Sequence, residues 1–471
     1  MCSNRERCAA DNELTVMNVA LFVYLVFLII IAIRSARRVR DIPDFFVARK
    51  GASAKAVAGS LVATILGGSA VIGAVDSVAK LGGAATWFMI TGALGLVALI
   101  PFAGRAYSHG KYALPDLVEN LYGKGPRLVA SLVIPVAWTG IVAAQIIAAA
   151  KLLMTFTPLD YTSAAIISAT VFTGYTLAGG QLSILRTDFM QACLIVVGLL
   201  LVAGFALFGG IHDASGIVAS RPLSEILQAA PAFPFNENFT PLDLFLLILT
   251  YGTTYTAGPD MFSRMFCAKD SATAKKAIAM AAATLVPVAF IIGFLAVYGV
   301  SLENVQGARI TAIASQVLPT PLIPLIALAL LSIVLSSADT TLLSSSVILC
   351  GLFRVGATQD GTGHPLAKAR LVILFNGIAA LLLALVFTDI IGTLLLALAV
   401  YAGAFTVPVL WGLLGIKAKP KFVAAAIVAG GLLALAGKLC PAGTLGSHTG
   451  DILLIAAFAV NALILALGRS R

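Results

Sequence analysis

Charge is what this sequence has least of: 11% of its 471 residues are Asp, Glu, Lys or Arg, whereas 60% are apolar. Soluble domains carry roughly a quarter of their residues charged, so a water-exposed globule of this length is excluded. Cysteine is scarce as well. The six lie at 2, 8, 193, 267, 350 and 440, none in a CxxC pair, and the four histidines have no ligand spacing. No metal site is supported, and the pairing of Cys2, Cys8 and Cys440 stays open. A soluble domain of any size is missing too. Acidic residues number 21 against 31 basic ones, a net charge of +10. Such an excess can mark a nucleic-acid binder, but here the basic residues gather in alternate loops, which is an orientation signal.

What is present is a series of apolar runs, each of about 20 residues and able to cross a bilayer. Only helices satisfy their own backbone in that setting without closing a barrel, so the fold class is an all-α polytopic membrane protein. About thirteen transmembrane helices are predicted, near 16–34, 56–78, 83–104, 127–154, 161–178, 188–209, 242–262, 277–300, 321–350, 369–388, 390–414, 421–438 and 451–467. The first run precedes Arg34, Arg37, Arg38 and Arg40 rather than a small-residue cleavage site, and reads as a retained helix. With the amino terminus outside, cytoplasmic segments carry 24 of the 31 Lys and Arg. The outer side then holds Arg5, Arg7, Lys80, Lys151, Arg221, Arg309 and Lys438. The expected location is the plasma (cytoplasmic) membrane, amino terminus outside and carboxyl terminus cytoplasmic. Connectors 105–126 and 264–277 are basic and face lipid headgroups. The outer segment 210–241, with Pro222, Pro231, Pro234 and Pro241, is either a lid or a plain surface loop.

Polar residues inside these runs are the functional signal. The stretch 331–346 carries Ser336, Ser337, Asp339, Thr340, Thr341, Ser344, Ser345 and Ser346. A carboxylate at mid-bilayer costs roughly 2.5–3.5 kcal/mol on insertion scales and is normally retained for a partner, an ion or water. Any one hydroxyl here is more readily explained by bonding back to its own helix or by close helix packing. Their density points instead to a hard cation such as sodium, bound through oxygen. Two spans are interrupted as well: the second at Gly67-Gly68-Ser69 and the seventh at Gly258-Pro259. Each alone reads as a small-residue crossing or a proline kink. They lie five spans apart, an odd offset, so the halves have opposite topology, which points to a transport site near mid-membrane. The expected divisions are 1–55 (tail and first helix), 56–209 (first five-helix repeat), 210–241 (external loop), 242–414 (inverted second repeat) and 415–471 (two C-terminal helices). The segment 179–191 reads as a short cytoplasmic loop. Its Asp188 either favours the start of the sixth helix or faces the cytoplasmic vestibule and draws a cation out.

Several pieces, in order, resemble the sodium:solute symporter family: YTLAGGQLSILRTDFMQ (175–191), GPDMFSRMFCAKD (258–270), SSADTTLLSSS (336–346) and YAGAFTVPVLWGLLG (401–415). The resemblance runs from about Asp44 to Leu414. It implies the leucine-transporter fold, two inverted five-helix repeats preceded by one helix and followed by two. It also implies a sodium ion between the second and ninth spans, held by the hydroxyls of Ser336 and Ser337 and the carbonyls of Ala63, Leu66 and Ile333. Asp188 matches a family carboxylate on the inner sodium exit path, where Asp339 is placed as well. The polar set of sugar-transporting members is replaced by Gly258-Pro259, and Thr64 and Ile65 stand where proline symporters often carry an acid.

The expected function is therefore sodium-coupled import of a small organic solute by alternating access, with no enzymatic activity and no catalytic residue. Gly67, Gly68, Ser69, Gln145, Thr253, Thr254, Gly258, Asp260 and Tyr401 are the candidate solute contacts; Tyr401 and Trp138 read equally well as packing aromatics. The preferred solute is a small carboxylate with an apolar body, an organic acid or an amino acid, because opened helix ends present N–H groups. The expected partners are this solute, Na+ and the lipid bilayer, with no nucleic acid and no readable protein partner. Alternatives are proton coupling through Asp188, Asp339 or Asp260, and a non-transporting solute sensor of the same fold.

Overall fold

The computed structural model describes residues 2–208, 211–213, 216–219, 233–299, 308–353, 365–439 and 449–470, and nearly all of them are helical. The first half comprises α1 (Cys2–Ala36), α2 (Ile42–Val47), α3 (Ala54–Ile65), α4 (Gly68–Leu81), α5 (Trp87–Leu99), α6 (Ala103–His109), α7 (Leu114–Tyr122), α8 (Lys124–Phe156) and α9 (Tyr161–Phe208). A small antiparallel pair, β1 (Ile211–Asp213) and β2 (Gly216–Ala219), follows in the predicted outer segment. The choice between lid and surface loop falls largely on residues outside the described set. The second half comprises α10 (Pro241–Leu247), α11 (Thr253–Ala257), α12 (Pro259–Met265), α13 (Ser271–Gly299), α14 (Arg309–Val317), α15 (Ile323–Leu352), α16 (Pro365–Val386), α17 (Ile390–Leu413), α18 (Pro420–Leu439) and α19 (Thr449–Leu467).

Among the described residues, eleven helical segments are long and apolar enough to cross a bilayer. Two segments account for the difference from the thirteen predicted. The fifth and sixth expected spans form the single 48-residue α9, turned at Gly180 (φ 53°, ψ −149°). A side chain there would be strained by the positive φ, and its Cβ would lie 2.6 Å from the Phe45 carbonyl oxygen. The expected loop 179–191 is thus helical apart from that one residue. The expected seventh span is divided into α10, a π-turn at Ile248–Gly252, α11 and α12, none of them long enough alone.

The burial pattern is that of a protein dissolved in lipid. Large apolar side chains point outward, Val136 76% and Phe208 88% exposed, while Ser336, Asp339, Thr340 and Ser345 are fully buried. Lipid supplies no hydrogen bonds, so polar groups are gathered inside. α15 lies at the centre, packed on α3, α8, α9 and α16, and α17 packs on α8 and α18. The α17–α18 crossing is close: a Cβ at Gly403 would lie 2.9 Å from the Gly430 carbonyl oxygen. Asn461 of α19 completes it, donating to the Gly403 (2.8 Å) and Ala404 (3.1 Å) carbonyls. Small residues let backbones approach, and one amide ties off the exposed carbonyls.

Candidate cation and solute sites

Both expected interruptions are open backbone. α3 ends at Leu66 (φ −74°, ψ 50°), and Gly67 is extended (φ −76°, ψ 168°) before α4 begins. The released N–H of Gly68 donates to the Gln145 amide oxygen of α8 at 3.1 Å. Between α11 and α12, Gly258 is extended (φ −74°, ψ 143°) and Pro259 restarts the helix at a position that needs no N–H.

α15 meets the first break with its hydroxyls. Ser336 Oγ donates to the Ala63 carbonyl at 2.9 Å and lies 3.2 Å from the Ile333 carbonyl; Ser337 Oγ donates to the Thr64 carbonyl at 2.8 Å. Ala63, Ile333 and Ser336 are therefore brought together. Ser337 reaches α3 through Thr64, a carbonyl outside the expected ligand set. Leu66 stands at the break, and no described hydrogen bond ties it to either serine. The carbonyls at the end of α3 have no helical partner and form the negative end of its dipole. Neutral oxygens of this kind match what a hard monovalent cation accepts in place of water. Gly67 makes the approach possible, since a Cβ there would lie 2.6 Å from Ser337 Oγ.

One turn deeper lies a buried ionic cluster. Asp188 of α9 is fully buried, accepts a hydrogen bond from Ser60, and sits 3.7 Å from Arg264 of α12. Arg264, also fully buried, donates to Gln181 Oε1 at 3.0 Å and to the Thr340 hydroxyl. Asp188 is not a helix-start charge: the helix resumes directly after Gly180, about two turns earlier. Among the described residues, neither carboxylate oxygen of the fully buried Asp339 meets a donor in hydrogen-bond geometry, and Asp188 Oδ1 and Arg264 Nε likewise have no partner. Asp188 is thus the carboxylate paired with Arg264, while the same guanidinium acts on Asp339 from beyond ion-pair distance.

Above Ser337 a small cavity of about 50 Å³ has Gly67, Gln145, Thr254, Gly258 and Asp260 in its wall, together with Thr64, Trp138, Tyr255 and Ser337. Two expected contacts are displaced. Thr253 turns away, its hydroxyl on the Leu249 carbonyl (2.6 Å) and Thr406 (3.0 Å), because adjacent helical residues point about 100° apart. Tyr401 lies behind the wall, its ring edge-on to Trp138 at 4.6 Å and its hydroxyl on the Ala257 carbonyl. Gly68 acts through Gln145 rather than at the surface, and the Ser69 side chain lies outside the described set. Trp138, open between packing and site in the sequence, is a wall residue and donates Nε1 to Asp260 Oδ1 at 2.7 Å. Its spacing of seven from Gln145 on α8 places both on one helix face, a signal the sequence does carry.

The family model of the sodium:solute symporters matches residues 45–421. The chain belongs to the sodium:solute symporter family. This is a family of membrane transporters, not of enzymes, and the chain is an integral membrane protein. It is 28% identical over 243 residues to the sodium/proline symporter of Haemophilus influenzae, covering 48% of this chain and 44% of that protein. The chain thus matches less than half the length of that relative. Similarity to the osmoregulated proline transporter of Bacillus subtilis is 23% over 393 residues, 78% and 77% of the two chains. The backbone superposes on a substrate-bound, outward-open Na+-coupled sialic acid symporter with a TM-score of 0.75, covering 97% and 99% of the chains at 18% identity. At that identity the likeness shows a shared fold, the leucine-transporter type.

Proposed function

We propose that this symporter-family chain couples inward sodium movement to import of a small organic solute by alternating access. The observation that carries the reading is a shared wall: Ser337 and Gly67 belong both to the hydroxyl–carbonyl cluster and to the central cavity. An ion held by Ser336, Ser337 and the carbonyls of Ala63, Leu66 and Ile333 would fix the end of α3 and the start of α4, and with them one side of the solute cavity. Binding of the two cargoes is thereby coupled without a long relay. Asp188 and Asp339, below this cluster, form the inner exit path, where unpaired carboxylate oxygens attract the departing ion. The architecture we assign is thirteen spans, with repeats 56–209 and 242–414 inverted about the cavity. The amino terminus is outside the plasma membrane and the carboxyl terminus is cytoplasmic. For the solute we retain a small molecule whose carboxylate faces the opened backbone at Gly67.

The test is thermal unfolding of the purified chain in detergent, titrated with sodium at ionic strength held constant with potassium. A ligand of the folded state stabilises it by about 2.7 kcal/mol at a hundredfold excess over Kd. Sodium-specific stabilisation is expected, and it should vanish in the double variant Ser336→Ala/Ser337→Ala. A wild-type protein indifferent to sodium would overturn the reading.

A further inference from the structure

Among the described residues Asp260 is the one charged side chain in the wall of the central cavity, and it is 7% exposed. Among the described residues no Lys, Arg or His nitrogen lies within ion-pair distance of it; the nearby Arg264 is paired with Asp188 instead. Its nearest donors are neutral, the Trp138 indole N–H on Oδ1 and the Ser344 hydroxyl beside it, and Arg264 acts on it from beyond ion-pair distance. A buried carboxylate held by dipoles, with a guanidinium acting on it only from beyond ion-pair distance, leaves a negative field in the cavity it lines. An anionic group placed beside it would be repelled, and a cationic group would supply a close ion pair, which no described residue makes. The indole of Trp138 and the ring of Tyr255 in the same wall suit such a cation, since aromatic faces attract ammonium groups.

We infer that Asp260 is the charge-selecting residue of the solute site, and that the solute carries an ammonium group seated against it, with Trp138 orienting the carboxylate. This rests on the cavity being the solute site of the proposed symporter. It adds an ammonium group to the carboxylate-bearing solute proposed above, which makes an amino acid the solute class and sets aside simple organic acids. A cavity of about 50 Å³ holds only a few water molecules' worth of matter, so the ammonium-bearing part must be compact.

The experiment uses the full chain in detergent, with and without sodium, and three probes: L-alanine, n-propylamine and the amine-free acid propionate. L-alanine and n-propylamine are expected to raise the unfolding temperature and propionate is not. Asp260→Asn should weaken the two amines by about 10- to 100-fold, the worth of a charge-assisted hydrogen bond, while leaving the sodium response intact. Trp138→Phe, which keeps the ring and removes the donor, should weaken them less. Stabilisation by propionate equal to that by L-alanine, amine binding unchanged in Asp260→Asn, or no response to either amine would each overturn the inference. Should Asp260→Asn not fold, the wild-type comparison of the three probes decides alone. Loss of the sodium response in the wild type, with amine binding retained, would sink the coupling reading and leave this one standing.

Discussion

Arg264 shows what a single residue must do inside a membrane. Its guanidinium is fully buried and faces Asp188 at 3.7 Å, with Asp339 close enough to feel its charge. Removing one side of such a cluster is not symmetric. Arg264→Met would leave two carboxylates without any cation, and breaking a buried pair in this way costs about 3–5 kcal/mol. Asp188→Asn would leave Arg264 with Asp339 as counter-charge and a Ser60 hydroxyl that can still donate to an amide oxygen. Arg264→Met is therefore expected to lower the unfolding temperature and membrane yield markedly, and Asp188→Asn to do so far less. Thermal unfolding of both variants in the same detergent checks the order; equal losses would mean that Asp339 is not shared with the guanidinium. The family resemblance puts Asp188 and Asp339 on one path, but the residues alone do not join Arg264 to them, because the three lie on separate helices that only folding brings together.

At the scale of elements, the breaks matter more than the helices. Gly67 carries no side chain because Ser337 Oγ occupies the space a Cβ would take. Gly67→Ala is expected to leave the fold in place, since the serine hydroxyl can swing aside, but to pull it from the Thr64 carbonyl, now at 2.8 Å. Apparent sodium affinity should fall about tenfold, equivalent to roughly 1.4 kcal/mol, with little change in stability measured without sodium. A sodium titration by thermal shift separates the two effects. An unchanged affinity would remove Ser337 from the ligand set. Glycine and proline are also why these breaks were legible in the sequence: Gly67 and Gly258-Pro259 state a backbone requirement directly. The same logic misled at Gly179-Gly180, where two glycines suggested a loop but only Gly180 departs from helix. The π-turn at Ile248–Gly252 left no such mark, and it helps set the rotation by which Thr254, not Thr253, reaches the cavity.

At the scale of the whole molecule, coupling is a matter of charge carried across the bilayer. One sodium ion moving inward gains about 2.3 kcal/mol per 100 mV of membrane potential, and a tenfold sodium gradient adds about 1.4 kcal/mol. Together these would support a roughly 500-fold accumulation of a solute with no net charge. An amino acid held by Asp260 would bring no net charge of its own, so one charge would cross per cycle. A simple amine would bring a second and double the voltage dependence. The prediction is that in proteoliposomes an inside-negative potassium diffusion potential accelerates sodium-dependent L-alanine entry, with one charge moved per solute, and that n-propylamine, if carried, moves two. Parallel measurement of current and radiolabelled flux gives that ratio directly. Entry of either solute that is sodium-dependent but indifferent to voltage would require a compensating ion, with Asp188 and Asp339 the first groups to examine for its path.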